Sequence, residues 1–270
     1  MFTLIPVLEQ RNLNERDKFI SLDKDTHIYT VNGVAGTYTS VTTWIHSHFK
    51  KFDADEVISN MKKGKRWGQK HKYFGREPES IKLEWEETAK TASKAGEEMH
   101  SNIECFMNDP VLNDYRHIDL LHYHNMSVGE EDIKSPEWQY FLQYIIDHPN
   151  KRPYRTEWLV FHEEYKLAGS IDMLYINDDG TYDLMDWKRS KNIEKDNPFN
   201  KFAITDCIKN IPDTNLWHYT MQLNVYRKIL QEKYNIIVKN MHLLRLHPIA
   251  DTYELIQVPA IDGILNMLLK

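Results

Sequence analysis

Residues Gly169 to Lys188 read GSIDMLYINDDGTYDLMDWK. Two apolar runs, LAGSIDMLYI and TYDLMDWK, flank Asn177-Asp178-Asp179-Gly180. Those four residues are strong turn formers, so the segment predicts a β-hairpin. Both runs carry acids in an otherwise apolar setting, Asp172 in the first and, beside Asp183, Asp186 in the second. Lys188 follows Asp186 by two and so shares its face of the strand. If the hairpin centres on Asp179, Asp172 faces Asp186, and directly opposed Cβ atoms are roughly 4.5–5.5 Å apart. Carboxylates that close repel unless a cation or a proton lies between them. A true four-residue turn would instead move the centre by half a residue and put Asp186 on the other face. An acidic clamp therefore requires an odd-length loop, or a bulge beside Gly180.

Composition sets the outer bounds. The chain has 270 residues, 41% hydrophobic and 12% aromatic, enough for a substantial core in one domain. Charged residues at 27%, without a long polar tract, argue against disorder. No run approaches the ~18 apolar residues of a membrane span. The first residues, MFTLIPVLEQRNLNERDK, turn charged too early for a secretory signal. A soluble intracellular protein with no membrane partner is expected. Cys105 and Cys207 form no metal-type pair, which excludes a zinc ribbon and a cysteine-ligated iron–sulfur cluster. Both are expected as free, partly buried thiols. Net charge is −6, but residues 50–72 are basic, as is the run Lys188, Arg189, Lys191 and Lys195. Such clusters are either solvated faces or phosphate-binding surfaces.

Working outward from the hairpin, TEWLVFH (156–162) alternates as a strand that pairs with it. Strict alternation puts Glu157, Leu159 and Phe161 on one side. Glu157, near the strand's start, is a candidate third carboxylate or an exposed strand-end acid. Pro78 to Met107 is helical, with Met99, Ile103, Phe106 and Met107 on one apolar face and His100 and Glu104 four apart beside it. Gly64 to Gly75 reads as a loop in which Lys65, Arg66 and Trp67 suit single-stranded nucleic acid, although Trp67 also fits plain loop anchoring. Residues 108–135, with His117 and the HYH of 122–124, read as an irregular surface segment rather than a zinc site. A helix follows from Ser135-Pro136.

Downstream, Asn215 to Tyr234 is an amphipathic helix with Gln222 and Tyr226 on one face. Residues 241–247 and 253–258 form a second hairpin, and the chain ends on a short helix. Upstream, 26–31 is a strand, Asn32-Gly33 a turn, and a short partner strand is expected around Gly36 to Ser40. Ser40 caps a helix entering VTTWIHSHF, and 53–63 is a further helix.

A histidine on an upstream helix, an Asp on one strand and Asp-Trp-Lys on the next suit a hard divalent cation, Mg²⁺ or Mn²⁺. The Trp187 carbonyl lies between the last two and offers another oxygen. A cation there acidifies water and steadies phosphoryl charge, and Lys188 is placed to assist. That is apparatus for hydrolysing a phosphodiester.

The order Asp172, Asp186-Trp187-Lys188 and Gln222-x-x-x-Tyr226 resembles the PD-(D/E)XK nuclease superfamily. Within it the chain is similar to the branch of lambda exonuclease, the nuclease domains of bacterial recombination helicase–nucleases and the mitochondrial genome maintenance exonuclease. That branch has a helical histidine, a Gly-x-x-Asp strand, an Asp/Glu-X-Lys strand and a Gln-x-x-x-Tyr helix. Here these match His100 with Gly96 before it, Gly169-Ser170-Ile171-Asp172, Asp186-Trp187-Lys188 and Gln222 to Tyr226. YTSVTTWI also resembles a segment common in phage and large-virus members.

The resemblance covers about 96–247. It implies an α/β (α+β) restriction-endonuclease-like core, a mixed central β-sheet flanked by helices. Residues 1–95 would be an N-terminal extension of a hairpin and helices. It also implies a Mg²⁺-dependent deoxyribonuclease, Mn²⁺ substituting, without an iron–sulfur cluster. An exonuclease acting on DNA ends or single strands in replication, recombination or repair is expected. The alternatives are an endonuclease or a silent nucleic-acid-binding module. The metal would be held by His100, Asp172, Asp186 and the Trp187 carbonyl, with Asp172, Asp186 and Lys188 catalytic. Gln222 and Tyr226 would support the site or touch the DNA backbone. Glu104 is the one candidate for the helical glutamate of many restriction enzymes.

Overall fold

We describe the protein from a computed structural model, which describes residues 6–109 and 135–270. His117 and the HYH of 122–124 therefore lie outside the described residues.

Alternating apolar residues build the central sheet. Its strands are β4 (Thr39–Ser40), β5 (Arg152–His162), β6 (Leu167–Ile176), β7 (Tyr182–Lys188), β8 (Val238–Arg245) and β9 (Glu254–Gln257). β5 runs antiparallel along one side of β6. β7 pairs antiparallel with the far end of β6, over residues 173–176 only. β4 pairs parallel with the near end, at Leu167 and Ala168. Beyond β7 lie β8, parallel, and β9, antiparallel. The sheet is mixed, as expected.

Helices cover both faces. On one, α6 (Asn215–Lys233) and α2 (Val41–His46) pack Ile45, Met221, Val225 and Ile229 against Leu174, Leu184 and Leu243. On the other, α4 (Pro78–Met107) and α5 (Pro136–Asp147) pack Ile103, Phe106 and Phe141 against Met173, Met185 and Trp187. The stripe on α4 thus buries as its spacing predicts.

The N-terminal extension is more β-rich than expected. An unforeseen strand, β1 (Ile20–Asp23), pairs with β2 (Ile28–Val31), which pairs with β3 (Val34–Ala35). The turn between the last two is Asn32-Gly33, both at positive φ, the type I′ geometry these residues favour. The partner strand expected around 36–40 lies earlier, at β3, and Thr39–Ser40 instead forms β4 of the central sheet. Ser40 caps α2 through the Thr43 amide at 3.0 Å. α4 runs through 95/96 as one helix of 30 residues, over the span that its pattern predicts. Short α1 (Val7–Arg11), α3 (Ala54–Lys63) and α7 (Asp262–Leu268) complete the described helices of this type. Both cysteines are exposed, not partly buried: Cys105 falls off the apolar stripe of α4, and Cys207 sits in a surface 3₁₀ turn. Among the described residues, no helix is long and apolar enough to cross a membrane.

Candidate metal centre

The hairpin loop has the odd length that the clamp requires. Ile176 pairs with Tyr182 and Met173 with Met185, leaving five loop residues, Asn177–Thr181. Asn177 and Thr181 close it with a backbone bond of 2.8 Å, and Gly180 takes φ +77°. A left-handed third residue is the form of three-residue hairpin loops, and glycine adopts it without strain.

One step past Met173–Met185 the two strands part. The Trp187 amide no longer finds a β6 carbonyl and donates to Asp172 Oδ2 at 2.8 Å. Side-chain alternation also slips here: Ile171 and Met173, two apart, belong to different cores. On the neighbouring strand Glu157 takes φ +43° and forms no ladder pair with Asp172. That conformation costs a non-glycine residue about 1–3 kcal/mol and clusters at functional sites. Glu157 therefore departs from the strict alternation expected of it. It lies mid-strand at the slip and accepts from Ser170 Oγ at 2.9 Å.

α4 delivers His100 to the same fork. Its Nε2 lies 3.0 Å from the Trp187 carbonyl. Its Nδ1 lies 3.5 Å from Glu157 Oε1 and 3.6 Å from Asp172 Oδ2. His100, Glu157 and Asp172 place one ligand atom each within 4.8 Å of one another. Asp186 lies outside that tight group. Its Oδ2 is 2.6 Å from Lys188 Nζ, but neither oxygen accepts a hydrogen bond of normal geometry. The Lys188 ammonium rests 4.7 Å above the Tyr219 ring.

Charge is crowded and dry. Asp186 is 2% exposed and Asp172 9%. Burial, then the charge of Asp172, pushes the Asp186 carboxyl up to about 6 against the pull of Lys188. Burial and Glu157 raise Asp172 as well, against His100 and Lys188. Burial pulls His100 down, but Asp172 and Glu157 outweigh it and carry the imidazole up to about 9. Lys188 is likewise raised, burial being overcome by Asp186 and Asp172. Glu104, one turn beyond His100, is raised by burial and by Glu157. Metal-free, the fork holds protons that a cation would displace.

A buried carboxylate with one oxygen left unpartnered, further oxygen donors and one imidazole fit a hard divalent ion. Of the expected ligand set, His100 and Asp172 fall in the tight group and the Trp187 carbonyl touches His100, while Asp186 stands beside it on Lys188. Glu157 moves from a supporting role to the innermost group.

Gln222 and Tyr226 are buried, 7% and 4% exposed. Tyr226 explains Gly169: a Cβ there would lie 2.5 Å from Tyr226 Cε1. Lys65, Arg66 and Trp67 stand apart. Among the described residues no hydrogen bond, ion pair or ring contact joins them to the fork, and Trp67 packs on His71 and Phe74 at 4.8 and 5.7 Å. Sequence reasoning missed Tyr219 and Ser170. Tyr219 precedes Gln222 by three and Tyr226 by seven, one helical face, a spacing that carries the signal for it.

No protein-family model matches the chain, and no curated protein matches it at a significant level.

Proposed function

We propose that the protein is a divalent-metal-dependent nuclease that hydrolyses DNA phosphodiester bonds, with a restriction-endonuclease-like core of the PD-(D/E)XK kind. One observation carries this reading: His100, Asp172, Asp186, the Trp187 carbonyl and Lys188, spread from α4 to β7, meet at a single break in the sheet. A purely structural hairpin has no need to bury two carboxylates together and leave one without hydrogen bonds.

His100, Asp172, Asp186 and the Trp187 carbonyl would hold Mg²⁺ or Mn²⁺, with Glu157 beside them. When bound, the cation supplies Lewis acidity and charge to offset the phosphate. The chain's own groups do the rest. Asp172 fixes Trp187 through its amide and so aims the carbonyl. Lys188, held protonated between Asp186 and Tyr219, presents an ammonium to the phosphate and steadies charge developing on it. The fork's dryness strengthens each of these interactions. Action on DNA ends or single strands follows the resemblance.

The test is purified protein with end-labelled linear and circular DNA, single- and double-stranded, in Mg²⁺, Mn²⁺ or EDTA. Cleavage is expected with either metal and none in EDTA. Lys188→Ala should lower the cleavage rate on the order of 10²–10³-fold while DNA binding stays nearly intact. Cleavage in EDTA would end the metal reading, and a large fall in binding would recast Lys188 as a phosphate holder.

A further inference from the structure

Away from the fork, a cavity of about 610 Å³ opens between the residues that follow α2 and the loop that leads into α6. Its walls are mostly apolar, and Phe49, Phe52, Lys50, Lys51, Lys201 and His218 help line it. Phe49 is buried, and its ring packs tilted on His218 with centroids 4.1 Å apart. Phe52, at the rim, is 71% exposed. Phe199 and Phe202, either side of Lys201, are 79% and 44% exposed. Of these three exposed rings Phe52 is the one that lines the groove, apolar surface left in water at its rim.

Three acids also line the cavity, and each is engaged. Glu56 pairs with Lys50 at 2.7 Å. Asp53 caps α3 through the Glu56 amide at 3.0 Å. Asp213 holds His218 Nε2 at 3.0 Å. Among the described residues, Lys51 and Lys201 have no acid partner, so the groove presents two free ammonium groups beside one exposed ring.

We propose that this groove receives a single strand of nucleic acid, with a base against Phe52 and phosphates on Lys51 and Lys201. A ring that can stack on any base, beside cations that hold the backbone, suits an unpaired strand, whereas a duplex hides its base faces. The inference rests on the nuclease reading and names its substrate form, an unpaired strand.

Binding in EDTA separates the two claims, because it needs no cleavage. The probe is a labelled oligothymidylate strand followed by fluorescence anisotropy, with a blunt duplex of the same length as comparison. The wild type should prefer the strand. Phe52→Ala should weaken strand binding about ten-fold. The double variant Lys51→Ala/Lys201→Ala should lower the slope of log affinity against log salt by about 1.4. All three side chains are exposed, so the variants keep the fold, checked by unchanged urea midpoints. Wild-type affinity in both variants would overturn the groove, as would a preference for duplex. Free thymidine monophosphate competing as well as the strand would overturn it too, marking a nucleotide pocket. Strand binding that falls as stated without metal-dependent cleavage would uphold the groove and remove the nuclease reading.

Discussion

β7 buries two aspartates three residues apart and treats them in opposite ways. Asp183, near the hairpin turn, is 3% exposed, and Asp186, at the fork, 2%. Asp183 is fully engaged: Lys151 pairs with it, and the Asn177 and Asn240 amides donate at 3.0 and 2.8 Å. Those partners hold its carboxyl below the usual range even though burial pushes the other way. Asp186 has only the ion pair with Lys188, shares its surroundings with Asp172, and is pushed up to about 6, first by burial. The two are equally buried and unequally satisfied, and on the proposed reading that difference separates a carboxylate that holds the fold from one that meets a cation.

The largest effect should come from exchanging charge for amide at the fork. Asp186→Asn should lower metal-dependent cleavage on the order of 10³-fold. It should leave the urea midpoint of the metal-free protein unchanged or higher, because it removes a buried charge that repels Asp172. Asp183→Ala should do the reverse, costing about 2–3 kcal/mol by leaving Lys151 and two amides without their acceptor, while sparing the rate per folded molecule. A destabilised Asp186→Asn with normal activity would erase the contrast.

The comparison also marks how much the sequence disclosed. The hairpin and the α4 stripe were legible, because turn formers and periods of 2 and 3.6 are local signals; the odd loop was only what the clamp required, since the four turn formers by themselves read as an even turn. Glu157's place was not legible. Its strand alternates well in sequence, and the slip at Asp172 arises only where β6 loses β7 and gains β4, a tertiary event. For the same reason β1 and the split of β3 from β4 escaped notice: short strands exist by virtue of their partners. The satisfied state of Asp183 was equally hidden, since Lys151, Asn177 and Asn240 come from three separate segments.

Acidity provides a subtler probe, with His100 as reporter. A histidine whose folded pKa is raised adds stability that is complete below its unfolded value, about 6.5. That stability is lost as pH rises through about 9. In EDTA, the wild type should therefore exceed His100→Gln in urea midpoint at pH 6.5, and the gap should close by pH 9.5. Metal should bind more weakly at pH 6.5 than at pH 9, since the cation must displace that proton. A gap that holds across the range would make His100 a packing residue.

The smallest effect belongs to Tyr219, and it tests whether Lys188 is held or merely tethered. The ring lies 4.7 Å from the ammonium, within cation–π range, and a desolvated contact of this kind contributes about 1–2 kcal/mol. Tyr219→Phe keeps the ring face and should cleave at nearly the wild-type rate. Tyr219→Leu keeps much of the bulk but not the quadrupole, leaving Asp186 as the one anchor on Lys188. The ammonium then collapses toward Asp186 or wanders, so kcat should fall about ten-fold with KM and metal dependence little changed. If Phe and Leu behave alike, Asp186 alone positions the lysine, and the ion pair that leaves Asp186 short of hydrogen bonds would also be what aims its partner.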